Sequence, residues 1–381
     1  PLFQEQVLKM AMVMANFSGS QAERLRKALS FHRSEVLMNR VKTALETALA
    51  ANGIEPEIRE RVVAAISSFA LYGFPESHAI SFAMLAYSSA YLKVHYSEEF
   101  YTGLLNNQPM GFYSAATLIQ DAKRRGLRFE APCVKNASWL ATIPGEKRIR
   151  LGLKILKTVG KSSILHMLEI RDEQPFSSIF DFCRRTRFNP SELRVLASAG
   201  ALNALAGDRR SALWAVESSS IQANDLFNNP NTELIETNTP LQPMSWQERV
   251  QPDFATTGVT VGAHPMRQIR NSLPRHMRRA TDLEQCSNDS FVAIAGAVIC
   301  RQRPGTARGV VFISLEDETG VANIIVYPKM FEERRLTIVS EPFLKIYGIV
   351  QKAEGTIHIK ARRIEPMLAP ELPAGASHDF H

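Results

Sequence analysis

No apolar run in this 381-residue chain approaches the roughly 18 residues that a membrane-spanning helix needs, and no charged start followed by a short apolar core marks a secretory leader. A cytoplasmic location and no membrane partner are the expectations that follow. Cysteine is scarce too. Cys133, Cys183, Cys286 and Cys300 lie far apart and form no Cys-x-x-Cys pair, which argues against a zinc ribbon or a disulfide framework and leaves four reduced thiols. The chain also lacks an initiating methionine. Pro1 leads directly into an amphipathic pattern (Leu2, Phe3, Val7, Met10, Val13, Met14), so the chain is expected to begin inside a folded unit as a fragment of a longer protein.

What is present is a hydrophobic content of 45%, enough for two or three cores, and a net charge of +7 with a pI near 9.3. The charge is unevenly spread. Between Asp121 and Arg171 stand twelve Lys or Arg against four acids. A local excess of that kind suits a phosphate backbone, since each neutralised phosphate releases a counterion; the alternative is a solvated basic face. Lys123, Arg124 and Arg125 head this segment.

Apolar residues recur at three and four spacings up to about residue 130, through Val62, Ile66 and Phe69 and again through Phe82, Leu85, Tyr91 and Leu92. Breakers at Gly53/Pro56, Gly73/Pro75, Pro109/Gly111 and Gly126 punctuate what reads as an all-helical unit. On one of its helices Arg24, Arg26 and Lys27 fall within a single turn, where cations repel one another unless an anion is near. The stretch Gly73-Phe74-Pro75-Glu76-Ser77-His78-Ala79 is a sharply marked helix start: Gly73 permits a tight turn, Pro75 suits the first helical position, and Glu76 favours the positive end of the helix dipole. Ser77 and His78 then serve either as a local cap and a half-buried histidine, or as ligands at the mouth of a site.

From Leu151 to Ile170 the pattern is helix, short Gly turn, helix, the spacing of a helix-hairpin-helix. Such a hairpin grips a phosphate with the backbone N–H groups of a helix N-terminus and does not read sequence. Lys157, Val159, Gly160 and Lys161 are its candidate DNA contacts. The usual Gly-hydrophobic-Gly turn has Thr158 in place of its first glycine, so a distorted turn is expected. A second helical pair runs from Phe180 to Leu202 with Arg184, Arg185 and Arg187 as its basic cluster.

The pattern fades between about 206 and 245, which reads as loop or linker. Within it, Gln222-Ala223-Asn224-Asp225-Leu226-Phe227 looks like the short peptides that dock on bacterial sliding clamps, with Leu226 and Phe227 as the apolar pair; hexapeptides of this kind also arise by chance. After Phe291 the period switches to strands: Val292 to Ile299, Gly309 to Leu315, Val321 to Val326, a helix from Tyr327 to Ile338, then Phe343 to Val350 and Thr356 to Arg362. Three strands, a helix and two strands match an OB-fold barrel. The Arg301–Arg308 loop, with Arg301, Arg303 and Arg308, sits where such barrels meet single strands. Glu316-Asp317-Glu318 reads as a hairpin turn rather than a metal site.

Several motifs in order then act together. Pro1-Leu2-Phe3-Gln4-Glu5-Gln6, Phe74-Pro75-Glu76-Ser77-His78-Ala79, Asn107-Gln108-Pro109-Met110-Gly111-Phe112-Tyr113, Arg301-Gln302-Arg303-Pro304-Gly305-Thr306-Ala307 and Leu315-Glu316-Asp317-Glu318-Thr319-Gly320 resemble bacterial C-family DNA polymerases. More narrowly they are similar to the error-prone, damage-inducible branch of the ImuC type. The resemblance covers essentially the whole chain and implies a carboxy-terminal portion of a nucleotidyltransferase used in translesion synthesis. It implies a multidomain α+β chain: the end of the fingers (1–130), tandem helix-hairpin-helix elements (131–205), a linker and connecting segment (206–285), an OB-fold (286–368) and a tail (369–381). The family's Leu-Arg-Arg motif stands here as Leu25-Arg26-Lys27, which implies that Arg26 and Lys27 bear on the incoming nucleotide, with Ser77 and His78 lining the same pocket. Lysine loses the planar fork of arginine but keeps its charge. The family's catalytic aspartates and their Mg2+ belong to a palm expected upstream of Pro1, so no catalytic residue or metal ligand is assigned to this chain, and dNTP is the substrate implied. The implied partners are primer-template DNA, a sliding clamp and a Y-family-like accessory protein. The alternative from another class is a non-enzymatic DNA-binding adaptor, built of hairpins and a barrel, in a repair complex.

Overall fold

The computed structural model describes residues 3–30, 35–69, 76–111, 113–223, 241–304, 307–353, 355–367 and 377–380. Two compact units divide it between His95 and Tyr96. The first holds α1 (Gln4–Met14), α2 (Gly19–Ser30), α3 (Glu35–Ala51), α4 (Pro56–Phe69) and α5 (Glu76–His95). Its core is built from Val7, Ala11, Leu25, Leu45, Leu49, Val62, Val63 and Ile66, the three-and-four-spaced apolar positions of α1 to α4. Gly73 and Pro75 lie outside the described residues, and α5 begins at Glu76. The Glu76 amide donates to Glu5 Oε2 at 2.9 Å, so a carboxylate from α1 meets the positive end of α5. No helix among the described residues is long and apolar enough to cross a membrane.

The second unit continues with α6 (Ser97–Asn106) and α7 (Ala115–Arg124), followed by the short strands β1 (Arg128–Glu130), β2 (Thr142–Gly145) and β3 (Arg148–Arg150), ordered β1-β3-β2. Next come α8 (Lys161–Glu173), α9 (Ile179–Arg185), α10 (Pro190–Ser198), α11 (Asn203–Ala206) and α12 (Arg209–Ala223). These close over a core that includes Ile164, Met167, Phe182, Leu196, Ala212 and Val216. Two sequence expectations need correction here. The first hairpin does not start with a full helix: Leu153–Ile155 is a single 3-10 turn, because the amides of Leu153 and Lys154 donate to Ser138 and Trp139 carbonyls rather than along a helix. The segment after 206 is not a tether at its start, because Ala212 and Val216, four residues apart and fully buried, hold α12 against the hairpin core.

Helices α13 (Trp246–Thr256) and α14 (Met266–Ile269) and strand β4 (Met277–Arg278) lead into the barrel. Its strands are β5 (Phe291–Gln302), β6 (Val311–Glu316), β7 (Val321–Val326), β8 (Phe343–Ala353) and β9 (Thr356–Pro366), with α15 (Pro328–Glu333) and α16 (Arg335–Ser340) between β7 and β8. The order β5-β6-β7-β9-β8 closes through antiparallel β8–β5 pairing and one parallel pair, β7–β9. That is the OB-fold barrel, in an α+β chain of several parts. Inward residues Ile294, Ile313, Ile324, Ile346 and Ile359 fill it, following the period of two that the sequence displays. The expected single helix is broken at Arg334 (φ −121°), which separates α15 from α16. Strand β10 (His378–Phe380) adds to β5 in parallel beside Cys300–Gln302.

The helical layer and the barrel meet at the β6–β7 turn through buried charge. Arg124 NH1 donates to Glu316 Oε1 at 2.9 Å, and His264 Nε2 stands 3.6 Å from Glu316 Oε2. Arg270 donates to Asp317 Oδ2 at 3.1 Å and to both oxygens of Glu318 at 2.7 and 2.9 Å. Burial alone would raise the Glu318 pKa; the hydrogen bonds and charge of Arg270 outweigh it and hold this carboxyl below the ordinary glutamate value. Asp317, 1% exposed, also accepts from the Ala280, Thr319 and Gly320 amides.

Removing Arg270 leaves Asp317 buried without its cation and Glu318 with the more exposed Arg279 at 3.6 Å, so Arg270→Ala is expected to cost about 3–5 kcal/mol in urea unfolding at neutral pH. Because the Glu318 pKa is depressed in the folded state, its contribution is complete above the unfolded value of about 4.3 and is lost as pH falls through the lower folded value. The variant should therefore lose less stability than the parent chain between roughly pH 5 and pH 3. Equal losses would show that the pair does not carry the acid response.

Candidate nucleic-acid interface

The first hairpin turn is shaped by the residues around Thr158. Lys157 N donates to Thr256 O at 2.7 Å, pinning the turn to α13. Thr158 then takes φ +62°, the left-handed conformation that a glycine supplies freely at this place, and Gly160 caps α8 with φ −65°. The missing glycine thus leaves the turn in the required hand, with the strain carried by a β-branched residue. Val159 is buried and anchors the turn in the hairpin core.

One amide expected to hold phosphate is already used. Gly160 N donates to Glu192 Oε1 at 3.0 Å, while the other oxygen of Glu192 accepts from Asn189 N at 3.1 Å and the Asn189 side chain caps α10. Glu192, 8% exposed, therefore locks the two helix starts together. By helix geometry, the amides of Lys161, Ser162 and Ser163 in the first turn of α8 remain for an anion. The Lys161 ammonium stands 5.7 Å from the centre of the Trp139 ring, beside that turn. In the second hairpin, Gly200 turns at φ +79° between α10 and α11, close under Arg209 and Asn203.

Several cations chosen from sequence are paired with other groups of the protein. Lys123 Nζ donates to the carbonyls of Thr260 and Gly262 at 3.1 and 2.6 Å, and burial lowers its pKa to about 8 against the opposing pull of Asp253. Arg124 is committed to Glu316, and Arg125 faces Asp121 at 3.7 Å. Arg185 donates to Asp181 and to the carbonyls of Ile170 and Gln174, stacked over Phe176. Arg301 lies in β5 rather than in the loop and is 7% exposed. It donates to the Ile338 and Glu341 carbonyls, to Ser377 and to Asp379. These donors are spent, because a buried guanidinium or ammonium must be paired where it stands. Lys123, Arg185 and Arg301, expected as DNA contacts, are thus structural ties, whereas Arg124, although paired with Glu316, is exposed to solvent.

Others do face solvent. Lys157 is exposed with Nζ 3.0 Å from Phe254 O; Lys161, Arg184 and Arg308 are exposed; Arg303, half exposed, lies over Phe331 and 3.6 Å from Glu332. Ser77 and His78 are exposed in the first turn of α5, and the His78 ring packs on Phe82 at 4.5 Å. Arg26 and Lys27 lie on α2, with side chains outside the described residues. Gln222 lies in the last turn of α12 with its side chain likewise undescribed, and Leu226 and Phe227 fall outside the described residues. Sequence reasoning missed Trp139 and Glu192. The run Asn189-Pro190-Ser191-Glu192 signals a capping box, but nothing local reveals the second partner of Glu192 across the hairpin. Among the described residues no three or more of His, Cys, Asp and Glu stand close enough together to hold a metal ion.

Comparison with known proteins agrees with this geometry. Residues 126–212 match a helix-hairpin-helix motif, residues 292–367 an OB-fold nucleic acid binding domain, and residues 1–53 the finger domain of the bacterial DNA polymerase III alpha subunit. The whole chain is 37% identical to an error-prone DNA polymerase of Dechloromonas aromatica and 39% identical to one of Azoarcus sp.; it is 35% identical to error-prone DNA polymerase 1 of Agrobacterium fabrum. The chain spans 37 to 38% of the length of these relatives. Along its full length it is thus related to a segment of the bacterial C-family polymerases of the error-prone type, and its hairpin and barrel domains are of nucleic-acid-binding kinds.

The Thr158 turn generates a direct prediction. A β-branched residue in the left-handed region costs about 1–2 kcal/mol, offset by the roughly 0.5–1 kcal/mol of extra unfolded-state freedom that glycine brings. Thr158→Gly should therefore raise stability by up to about 1 kcal/mol in urea unfolding. A clear loss would mean that the Thr158 hydroxyl, which donates to Lys157 O at 2.6 Å, outweighs the strain.

Proposed function

We propose that this chain is the nucleotide-closing and DNA-gripping part of a bacterial error-prone DNA polymerase of the C family, acting in damage-induced translesion synthesis. The observation that carries the reading is the α8 start. Its first-turn amides, the exposed Lys161 and the left-handed Thr158 turn form a phosphate grip that holds a backbone of any sequence. Primer-template DNA is the ligand, with Lys157, Lys161 and Arg184 on the hairpin side and Arg303 and Arg308 on the loop after β5. The full-length similarity to proteins named error-prone DNA polymerase supports the polymerase assignment.

In this reading Arg26 and Lys27 serve the triphosphate of the incoming dNTP, and Ser77 and His78 orient it. The Mg2+ that two-metal phosphoryl transfer requires does not fit the described residues, since Glu316, Asp317 and Glu318 are engaged by Arg124 and Arg270. We assign the metal and its aspartates to the part of the relatives' length that this chain does not span. A sliding clamp and a Y-family-like accessory protein belong to the same proposal as partners of the whole polymerase.

Two measurements test it. The chain should bind primer-template DNA without sequence preference, with an affinity that falls steeply as salt rises, and Lys161→Ala should reduce the slope of log affinity against log salt by about 0.9. A flat salt response would remove the hairpins from the interface. In the full-length polymerase, replacing Arg26 and Lys27 by Ala should raise the apparent Michaelis constant for dNTP by roughly tenfold or more, the equivalent of one lost charged hydrogen bond. An unchanged constant would contradict their assignment, and robust primer extension by this chain alone would contradict a palm elsewhere.

A further inference from the structure

Helix α5 is 20 residues long, about 30 Å, and none of its residues is buried. Its sequence does not suit that exposure. Between His78 and Lys93 there is no charged residue, and Ile80, Phe82, Met84, Leu85, Tyr87 and Val94 are each between 51 and 76% exposed. At about 3.6 residues per turn these side chains spread around the helix: Ile80, Met84, Tyr87 and Val94 share one side, and Phe82 and Leu85 lie on the other. Of the two arcs between them, one carries Ala79, Ala83, Ala86 and Ala90, and the other holds nothing more polar than Ser81 and Ser88. Helix α4 of the same unit shows the ordinary pattern, with Val62, Val63 and Ile66 buried and Glu57, Glu60 and Arg61 exposed.

A helix that is apolar on every side belongs in the interior of a larger body, and a continuous apolar surface of this size is not left in water by a monomer. Three kinds of cover are open to it. The charge-free stretch, roughly 21 Å of helix, falls short of the roughly 30 Å hydrocarbon core of a bilayer, and no helix among the described residues is long and apolar enough to cross one. A second copy of the chain, or a separate protein, covers one side of a helix and leaves the opposite side in water; interfaces between proteins that also exist apart are besides about as polar as the rest of the surface. The third cover is the same polypeptide, which can close around a helix completely and never has to expose it. The chain spans only 37 to 38% of the length of its relatives, so the greater part of such a polymerase is available to do so.

We infer that α5 is an internal helix of the whole polymerase, enclosed by the part of the protein that this chain does not span. Its start is tied to α1 by the bond from the Glu76 amide to Glu5, and Ser77 and His78 stand in its first turn. Enclosure of α5 therefore sets where those two residues sit relative to the rest of the enzyme. The inference rests on the reading that the chain is a portion of a longer polymerase, and it assigns to α5 the surface through which the two parts are joined.

Carbene footprinting read by mass spectrometry, on this chain and on the full-length polymerase without DNA or partner proteins, tests it. Labelling at residues 80–94 should be strong in this chain and fall about tenfold in the full-length protein, from more than half exposed to the roughly 5% of a core side chain. The paired substitution Leu85→Gln with Tyr87→Gln keeps helix propensity nearly level. It should leave the thermal unfolding of this chain unchanged and shorten the thermal-inactivation half-life of the full-length polymerase, with Leu85→Met close to the parent in both. Equal labelling in the two proteins overturns the inference. So does protection already present in this chain alone, whether it grows with concentration, as a second copy would make it, or not. A full-length protein that extends primers with α5 still labelled removes the enclosure and leaves the polymerase reading standing; a protected α5 in a protein that extends no primer does the reverse.

Discussion

Arg270 is the residue on which the arrangement of the second unit most depends. It comes from the segment ahead of the barrel and closes on Asp317 and Glu318 in the β6–β7 turn, while Arg124 at the end of α7 closes on Glu316 of the same turn. Three consecutive acids that would each be costly to bury alone are thereby paired from two directions. The consequence is geometric. The hairpin helices and the barrel sit within one compact unit, so their spacing is set by the fold rather than by a tether.

The same economy governs the other cations. Arg209 donates to Asp253 at 2.6 Å, Asp253 accepts in turn from Thr260, and Lys123 bonds the carbonyls of that loop. Arg301 ties β10 to the barrel through Asp379. A chain of net charge +7 thus spends a substantial share of its arginines on holding helices and strands together, and the free positive surface is narrower than composition implies. What is left at the hairpin is a small set of groups, Lys161 with the α8 amides and the neighbouring Trp139. In the proposed function a backbone grip of that kind supplies affinity and orientation, and leaves sequence to base pairing.

Much of the fold was legible from periodicity. The five barrel strands fall where the apolar alternation puts them, because inward positions such as Ile313, Ile324 and Ile346 must be apolar whatever the loops do. The helices of the second hairpin fall where Pro190 and Gly200 mark their limits. Helix α12 was missed because Ala212, Leu213 and Val216 form a short apolar stripe that the serines at 218–220 cut off. The candidate site was less legible, for a different reason. Sequence distinguishes a cation from an apolar residue, but not a cation that faces water from one that meets a carboxylate nearly two hundred positions away, as Arg124 meets Glu316. Likewise, Thr158 in a glycine position reads as a defect until the backbone is seen to take the left-handed turn regardless.

The proposed phosphate grip at α8 is tested most directly by hydrogen–deuterium exchange of the full chain, with and without saturating duplex DNA. The amides of Lys161, Ser162 and Ser163 should gain protection on binding, while that of Gly160, already bonded to Glu192, should change little. DNA that binds the chain tightly yet leaves exchange at residues 161–163 unaltered would contradict the assignment of this helix start as the interface.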